Sequence, residues 1–179
     1  HADPRKTIPT ADMKEKEEAL QRMASILVVM NRAVGSLGEI ESDAVALIVR
    51  MDGLTDEEKS EKGVTEEAER DLRGAAEALK EEIKALRISI QGDDSVQGYY
   101  RMETVNSAIN AALGPLSSTW NAPTQAERTL MRRAEEALSE ALARYNQLAG
   151  GSLPAFREKA EAIGLTWTSV PVRLDIPPR

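Results

Sequence analysis

Thirty acidic residues stand beside a single histidine, His1, and no cysteine in this 179-residue chain, so any chemistry it performed would rest on carboxylates. A di-iron carboxylate centre needs Glu-x-x-His pairs facing inward from two helices, and no internal histidine exists to complete them. Ser117 and Ser118 lack the histidine of a hydrolase triad. Without cysteine there is no disulfide, thiolate nucleophile or thiolate metal site. A hydrolase built from carboxylates alone would show a close inward-facing Asp/Glu pair. Nearly all the acidic residues instead fall on the polar side of the helical pattern. Glu41 is the exception, at a seam position, and a Glu there is expected to sit near a helix end or glycine kink where its carboxylate reaches water. The paired aspartates of 91–98 (QGDDSVQG) lack the spaced oxygen ligands and closing glutamate of an EF-hand. The stretch from Gly35 to Gly38 lacks both the Lys-Ser/Thr and the preceding strand of a phosphate-binding loop. No catalytic residue, cofactor-binding residue or metal ligand is therefore expected, and the chain is expected not to be an enzyme.

Two side chains suit contact rather than catalysis. Trp120 lies in a turn and Trp167 in the C-terminal segment, and each either plugs one end of the helical core or takes part in an interface, where Trp is enriched. Met13, Met23, Met30, Met51, Met102 and Met131 mostly fit core positions rather than an adaptable groove.

The elements that would position these residues are helical. Aromatic residues make up 3% of the chain, so its core draws on Ala, Leu, Ile, Val and Met, which favours helix over sheet. After a lead-in of residues 1–10 with two prolines, Thr10 is a candidate N-cap. Leu20, Met23, Leu27, Met30, Val34, Leu37, Ala44, Ile48 and Met51 then follow a 3-4 spacing that crosses Gly35 and Gly38, which predicts one long helix over about 11–52. Residues 52–64 combine glycine and charge and are expected to form an exposed connection. Ala68, Leu72, Ala75, Leu79, Ile83, Leu86 and Ile90 mark a second helix beginning after Thr65. A third is predicted over 99–117, ended or bent by Pro115. Asn121 or Thr124 caps a fourth carrying Leu130, Ala134, Leu138, Ala141, Tyr145 and Leu148. Beyond Gly150 and Gly151 the helix restarts for 153–163, closed by Gly164. The segment 165–179, with its prolines, is expected to be extended. The pattern predicts an all-α fold, an antiparallel four-helix bundle with long first and last helices and extended N- and C-terminal segments, the bundle occupying 11–164.

A net charge of −7 with a pI near 5.0 argues against nucleic acid, which demands a basic face. The short basic cluster at Arg132 and Arg133 is followed by Glu135 and Glu136, as on a solvated helix surface. The most apolar run, 26–30 (ILVVM), is far shorter than the roughly 20 residues that span a bilayer, so no membrane insertion is expected. The polar first residues carry no signal-peptide pattern.

Several segments resemble the C-terminal helical region of large bacterial proteins built on sortilin-like (BNR-repeat) β-propellers, often described as glycosyl hydrolases. They are Ala2-Asp3-Pro4-Arg5 with Thr10-Ala11-Asp12-Met13; Ala75-Ala76-Glu77-Ala78-Leu79-Lys80; 105–116 leading into Ala122-Pro123-Thr124-Gln125; and Ser152-Leu153-Pro154-Ala155-Phe156 ending in Gly164-Leu165. Asn121, where an acidic residue is commoner, and the Gly150-Gly151 pair depart from the family pattern. The resemblance implies a fragment whose propellers lie upstream, in a parent exported to the periplasm, cell surface or medium, with any hydrolytic activity in those propellers. It carries over no functional residue. The expected role is a structural and protein-interaction module that packs on its parent's propellers or on another protein. The alternative is a sensor-type bundle that binds a small molecule between helices near Gly35 and Gly38.

Overall fold

The computed structural model describes residues 9–93, 103–167 and 171–178, and every regular element among them is helical. The elements are α1 (Thr10–Asp52), α2 (Asp56–Glu61), α3 (Glu66–Gln91), α4 (Val105–Ser118), α5 (Gln125–Gly150) and α6 (Ser152–Ala162). Only Gly151 separates α5 from α6, so the last long helical stretch runs over 125–162. The fold is all-α and bundle-like, with long first and last helices as the periodicity predicts.

α1 runs unbroken through Gly35 and Gly38. Its buried residues are Lys16, Ala19, Met23, Ile26, Met30, Ala33, Leu37, Ile40, Ala44, Leu47 and Met51. They alternate steps of three and four without a break, which is the seam of a helix packed along its whole length. One column of the expected seam, Met23, Met30, Leu37, Ala44 and Met51, is buried as the spacing indicates. The other column is displaced by one residue: Leu20, Leu27, Val34 and Ile48 are half-buried, and their preceding neighbours Ala19, Ile26, Ala33 and Leu47 face the core. Ile40, 1% exposed, thereby takes the seam position assigned to Glu41. Glu41 stands beside the seam and accepts from Arg87 Nη1 at 2.8 Å. A carboxylate one step off the core keeps contact with water, so no buried charge has to be compensated.

Four further boundary features differ from expectation. The 52–64 connection contains α2, which starts where Thr55 and Glu58 form a capping box: Glu58 N donates to Thr55 Oγ1 (3.3 Å) and Thr55 N to Glu58 Oε2 (2.8 Å). It ends at Gly63 (φ 66°), with Val64 N donating to Lys59 O. α4 begins at Val105 rather than at 99, because Thr104 is extended and exchanges hydrogen bonds with Ser107; Tyr99 and Met102 lie outside the described residues. Pro115 does not end α4, which continues to Ser118. The first bonds of α1 go to the carbonyl of Pro9 rather than to a Thr10 cap, and the rest of the expected extended lead-in lies outside the described residues. Elsewhere the expected signals act as such. Thr65 Oγ1 accepts from Ala68 N, Thr124 Oγ1 accepts from Glu127 N, and Gly164 (φ 72°) closes α6 while Leu165 N donates to Ala160 O.

The chain divides into two compact units. The first comprises His1–Arg32, Ile88–Leu142 and Asp175–Arg179. Its core joins Met23, Ile26 and Met30 of α1 to Ile109, Ala112 and Leu116 of α4 and Ala134 and Leu138 of α5. A largely buried ion pair, Arg22 Nε to Glu135 Oε1 at 2.8 Å, lies in the same unit, and Arg22 Nη1 also donates to Pro177 O at 2.6 Å. The second unit comprises Ala33–Arg87 and Ala143–Leu174. Leu37, Ile40, Leu47 and Met51 of α1, Leu72, Leu79 and Ile83 of α3, and Tyr145, Leu153 and Phe156 make its core. Arg73 links Asp52 to Glu69, and Lys59 pairs with Glu69 at 2.9 Å, tying α2 and the end of α1 to the start of α3.

The displaced column is testable by substitution. Ile40→Ala is expected to lower the unfolding free energy by about 2–5 kcal/mol, as deletion of a packed core side chain does. Glu41→Ala removes only a partly exposed pair and is expected to cost no more than about 1 kcal/mol. Urea denaturation of the two variants compares them directly; equal losses would return Glu41 to the seam.

Candidate interaction surfaces

α1 is more apolar at its C-terminal end than one buried face can use. Residues 44–49 read AVALIV, and six consecutive apolar residues on a helix point to every side of it. Ala44 and Leu47 enter the core of the second unit, whereas Val45 and Val49 are 51% and 63% exposed. They line a groove between α1 and α3 with Ile48, Ala76 and Ile83, and Glu41, Glu77 and Lys80 stand along its edge. The groove holds about 240 Å³, and Lys80 and Glu77 approach to 4.0 Å across exposed positions on α3. Its floor is hydrocarbon and its rim carries both signs of charge, which is the anatomy of a small protein contact. The signal was present in the sequence as a run that a two-column seam cannot absorb.

The sensor reading places a ligand near Gly35 and Gly38, and the groove begins beyond them, at Glu41. Its volume is below the roughly 300–1,000 Å³ of pockets that enclose small molecules.

The two tryptophans differ in setting. Trp120, in the first unit, is 61% exposed. The turn that carries it is fastened on both sides. Thr119 Oγ1 accepts from Lys16 Nζ at 3.1 Å, and Thr124 N donates to Glu127 Oε2 at 2.6 Å. Lys16 and Glu127 are both 5% exposed. An indole held outward on a pinned turn costs little ordering entropy when a partner covers it. Trp167, in the second unit, packs edge-on against Phe156 with ring centroids 5.6 Å apart, and the Arg157 guanidinium carbon lies 5.4 Å from its centroid. It closes a core.

Glu41 is engaged by Arg87, and among the described residues no group of three or more His, Cys, Asp or Glu is placed to hold a metal ion. The aspartate at 94 lies outside the described residues. α1 contains an 18-residue window of mean hydropathy 1.3, long and apolar enough to cross a membrane by length and composition, of which 33% is buried. The core helix of a bundle meets the same criterion, and the regular seam of α1 accounts for the buried share. No family model, no curated protein and no solved structure matches this chain.

Two outcomes check this placement. Trp120→Ala is expected to leave stability within about 0.5 kcal/mol of the native chain, and Trp167→Ala to cost more than about 1 kcal/mol through its lost aromatic and cation–π partners. Thermal unfolding distinguishes them. Glu127 titrates below its ordinary value of 4.5, chiefly because the Thr124 N–H and then the Thr124 hydroxyl bond its carboxylate, with Lys16 adding a smaller attraction. A carboxyl whose folded pKa is depressed adds stability above its unfolded value and loses it as the pH falls. As the pH falls through and below 4.5 the native chain is therefore expected to lose more stability than Glu127→Gln. Parallel slopes in a pH series of urea titrations would remove Glu127 from that role.

Proposed function

We propose that this chain is a non-catalytic structural and protein-interaction module, the C-terminal helical domain of a larger exported β-propeller protein. Its long helices are taken to form an antiparallel up-down four-helix bundle, in keeping with the 3-4 spacing of the seams and the short α4–α5 connection. The observation that carries the reading is the apolar groove between α1 and α3, where Val45 and Val49 remain exposed although the core beside them is closed. Large aliphatic side chains on a helix that already has a full seam are best explained by a partner that covers them. The groove suits one or two apolar side chains of an adjoining element, with the exposed Lys80–Glu77 pair at its edge to meet polar groups.

Packing on the upstream propellers follows from the family resemblance. It agrees with the acidic, cysteine-free composition, which offers neither a nucleic-acid face nor a redox site. Partner proteins other than the propellers would use the same groove and the outward Trp120. The sensor-type alternative, with its ligand between helices near Gly35 and Gly38, is the weaker reading, because the groove begins beyond those glycines and is smaller than pockets that enclose small molecules.

Calorimetric titration of the chain with the polypeptide encoded immediately upstream tests the proposal. Tight binding, weakened at least tenfold by the Val45→Asp/Val49→Asp double substitution, is expected. Binding that ignores the double substitution would move the contact elsewhere, and absence of binding by the native chain would overturn the bracing role.

A further inference from the structure

Residues 171–178 form no helix or strand, and Leu174 is their buried member, at 5% exposure. The way α5 holds this segment is specific. Asn146 Nδ2 donates to Leu174 O at 2.8 Å and Asn146 Oδ1 accepts from Leu174 N at 3.1 Å. One side-chain amide thus satisfies both backbone groups of one residue. Those two groups point the same way only in an extended chain, so the contact is the side-chain counterpart of one rung of an antiparallel ladder. The adjacent Tyr145, fully buried, donates its hydroxyl hydrogen to Val172 O at 3.2 Å, while the hydroxyl of Ser36 stands 2.8 Å from the Tyr145 hydroxyl oxygen and can donate to it.

This arrangement holds a stretch of backbone and buries one leucine. Val172 is 68% exposed, and Arg173 and Asp175 are exposed too, whereas Leu174 between them is buried. Pro171, Pro177 and Pro178 keep the segment out of helix and bias it towards the extended form the site requires. Such a site is an extended-peptide receptor of the backbone-bonding kind, with a single apolar anchor.

We infer that the surface built from Tyr145 and Asn146 of α5 and Ser36 of α1 is an extended-peptide site that accepts the 171–178 segment of a second copy of this chain in exchange for its own. Exchange of an identical element forms in trans the same hydrogen bonds and the same leucine burial that are lost in cis, so only the entropy of association opposes it. The tethered segment wins at low concentration because its effective concentration is high, and exchange rises as the chain is concentrated. This inference does not depend on the propeller-bracing role, since it uses neither the α1–α3 groove nor Trp120.

The absence of cysteine permits a direct test on the full chain. One population carries Val172→Cys and another carries Gln147→Cys, both at exposed positions. After mixing at high concentration, a short flexible bismaleimide is added. A covalent heterodimer is expected, with a yield that rises with concentration. It should fall several-fold when the second population also carries Asn146→Ala, and when its cysteine is moved to the exposed Glu81 on α3. Circular dichroism of each variant verifies that the helices are intact. A heterodimer yield no greater than that of the Glu81→Cys control, or unchanged by Asn146→Ala, overturns the inference. A second arm uses a fluorescent peptide of residues 171–178 with the full-length Leu174→Asp chain, whose own segment can no longer seat. Saturable binding, lost when the peptide leucine becomes alanine, is expected, and its absence in a chain of native helix content overturns the proposed site.

Discussion

Both compact units draw part of their core from the unbroken seven-residue repeat of α1. Buried side chains recur at steps of three and four from Lys16 to Met51, and this column serves the first unit up to Met30 and the second from Ala33 onwards. Such a repeat stays in step only if the helix underwinds slightly, to about 3.5 residues per turn. Gly35 and Gly38 fall within it without breaking it, because neither occupies a buried position and a Cβ at either would meet no atom within 4 Å. Their cost of about 1 kcal/mol each relative to Ala is therefore borne by the helix alone and not by its packing.

The same repeat explains what was legible in the sequence and what was not. The all-α class, the length of α1, and the buried faces of α3 and α5 follow from periodicity. The second column of α1 did not, because its neighbour is equally apolar over most of the helix: Ile26 beside Leu27, Ala33 beside Val34, Leu47 beside Ile48. Hydrophobicity cannot choose between adjacent columns that both carry aliphatic residues. Only the Ile40–Glu41 pair discriminates, and there the burial cost of a carboxylate decides for Ile40. The α2 helix was hidden by a charged, glycine-bounded stretch, although the Thr-x-x-Glu spacing of a capping box was there to be found at Thr55.

Threonine recurs at the helix starts. Thr55, Thr65, Thr104 and Thr124 each accept a hydrogen bond from the backbone three residues on. Each supplies the partner that the first turn lacks, a contribution of typically about 1 kcal/mol. In a chain with few aromatic side chains to fix an angle of entry, these caps set where helices begin, and so which residues the connections expose. The outward position of Trp120 follows from such a cap at Thr124 and from the Lys16 bond to Thr119. The candidate surfaces, by contrast, were only partly legible: the surplus of apolar residues at 44–49 is visible in the sequence, but which of them stay uncovered depends on where α3 lies. The pairing of Asn146 with a residue 28 positions away leaves no local pattern at all.

Arg22 has a chemical individuality that its charge alone does not convey. Its Nε engages Glu135 while Nη1 reaches the carbonyls of Pro177 and Pro178, so the planar guanidinium connects an acid to two peptide oxygens whose own residues have no N–H to offer. A lysine would keep the positive charge but would place it at a single point, unable to address both sides of the fork. The Pro177-Pro178 pair is thus matched to a donor whose shape, and not only its sign, the site demands.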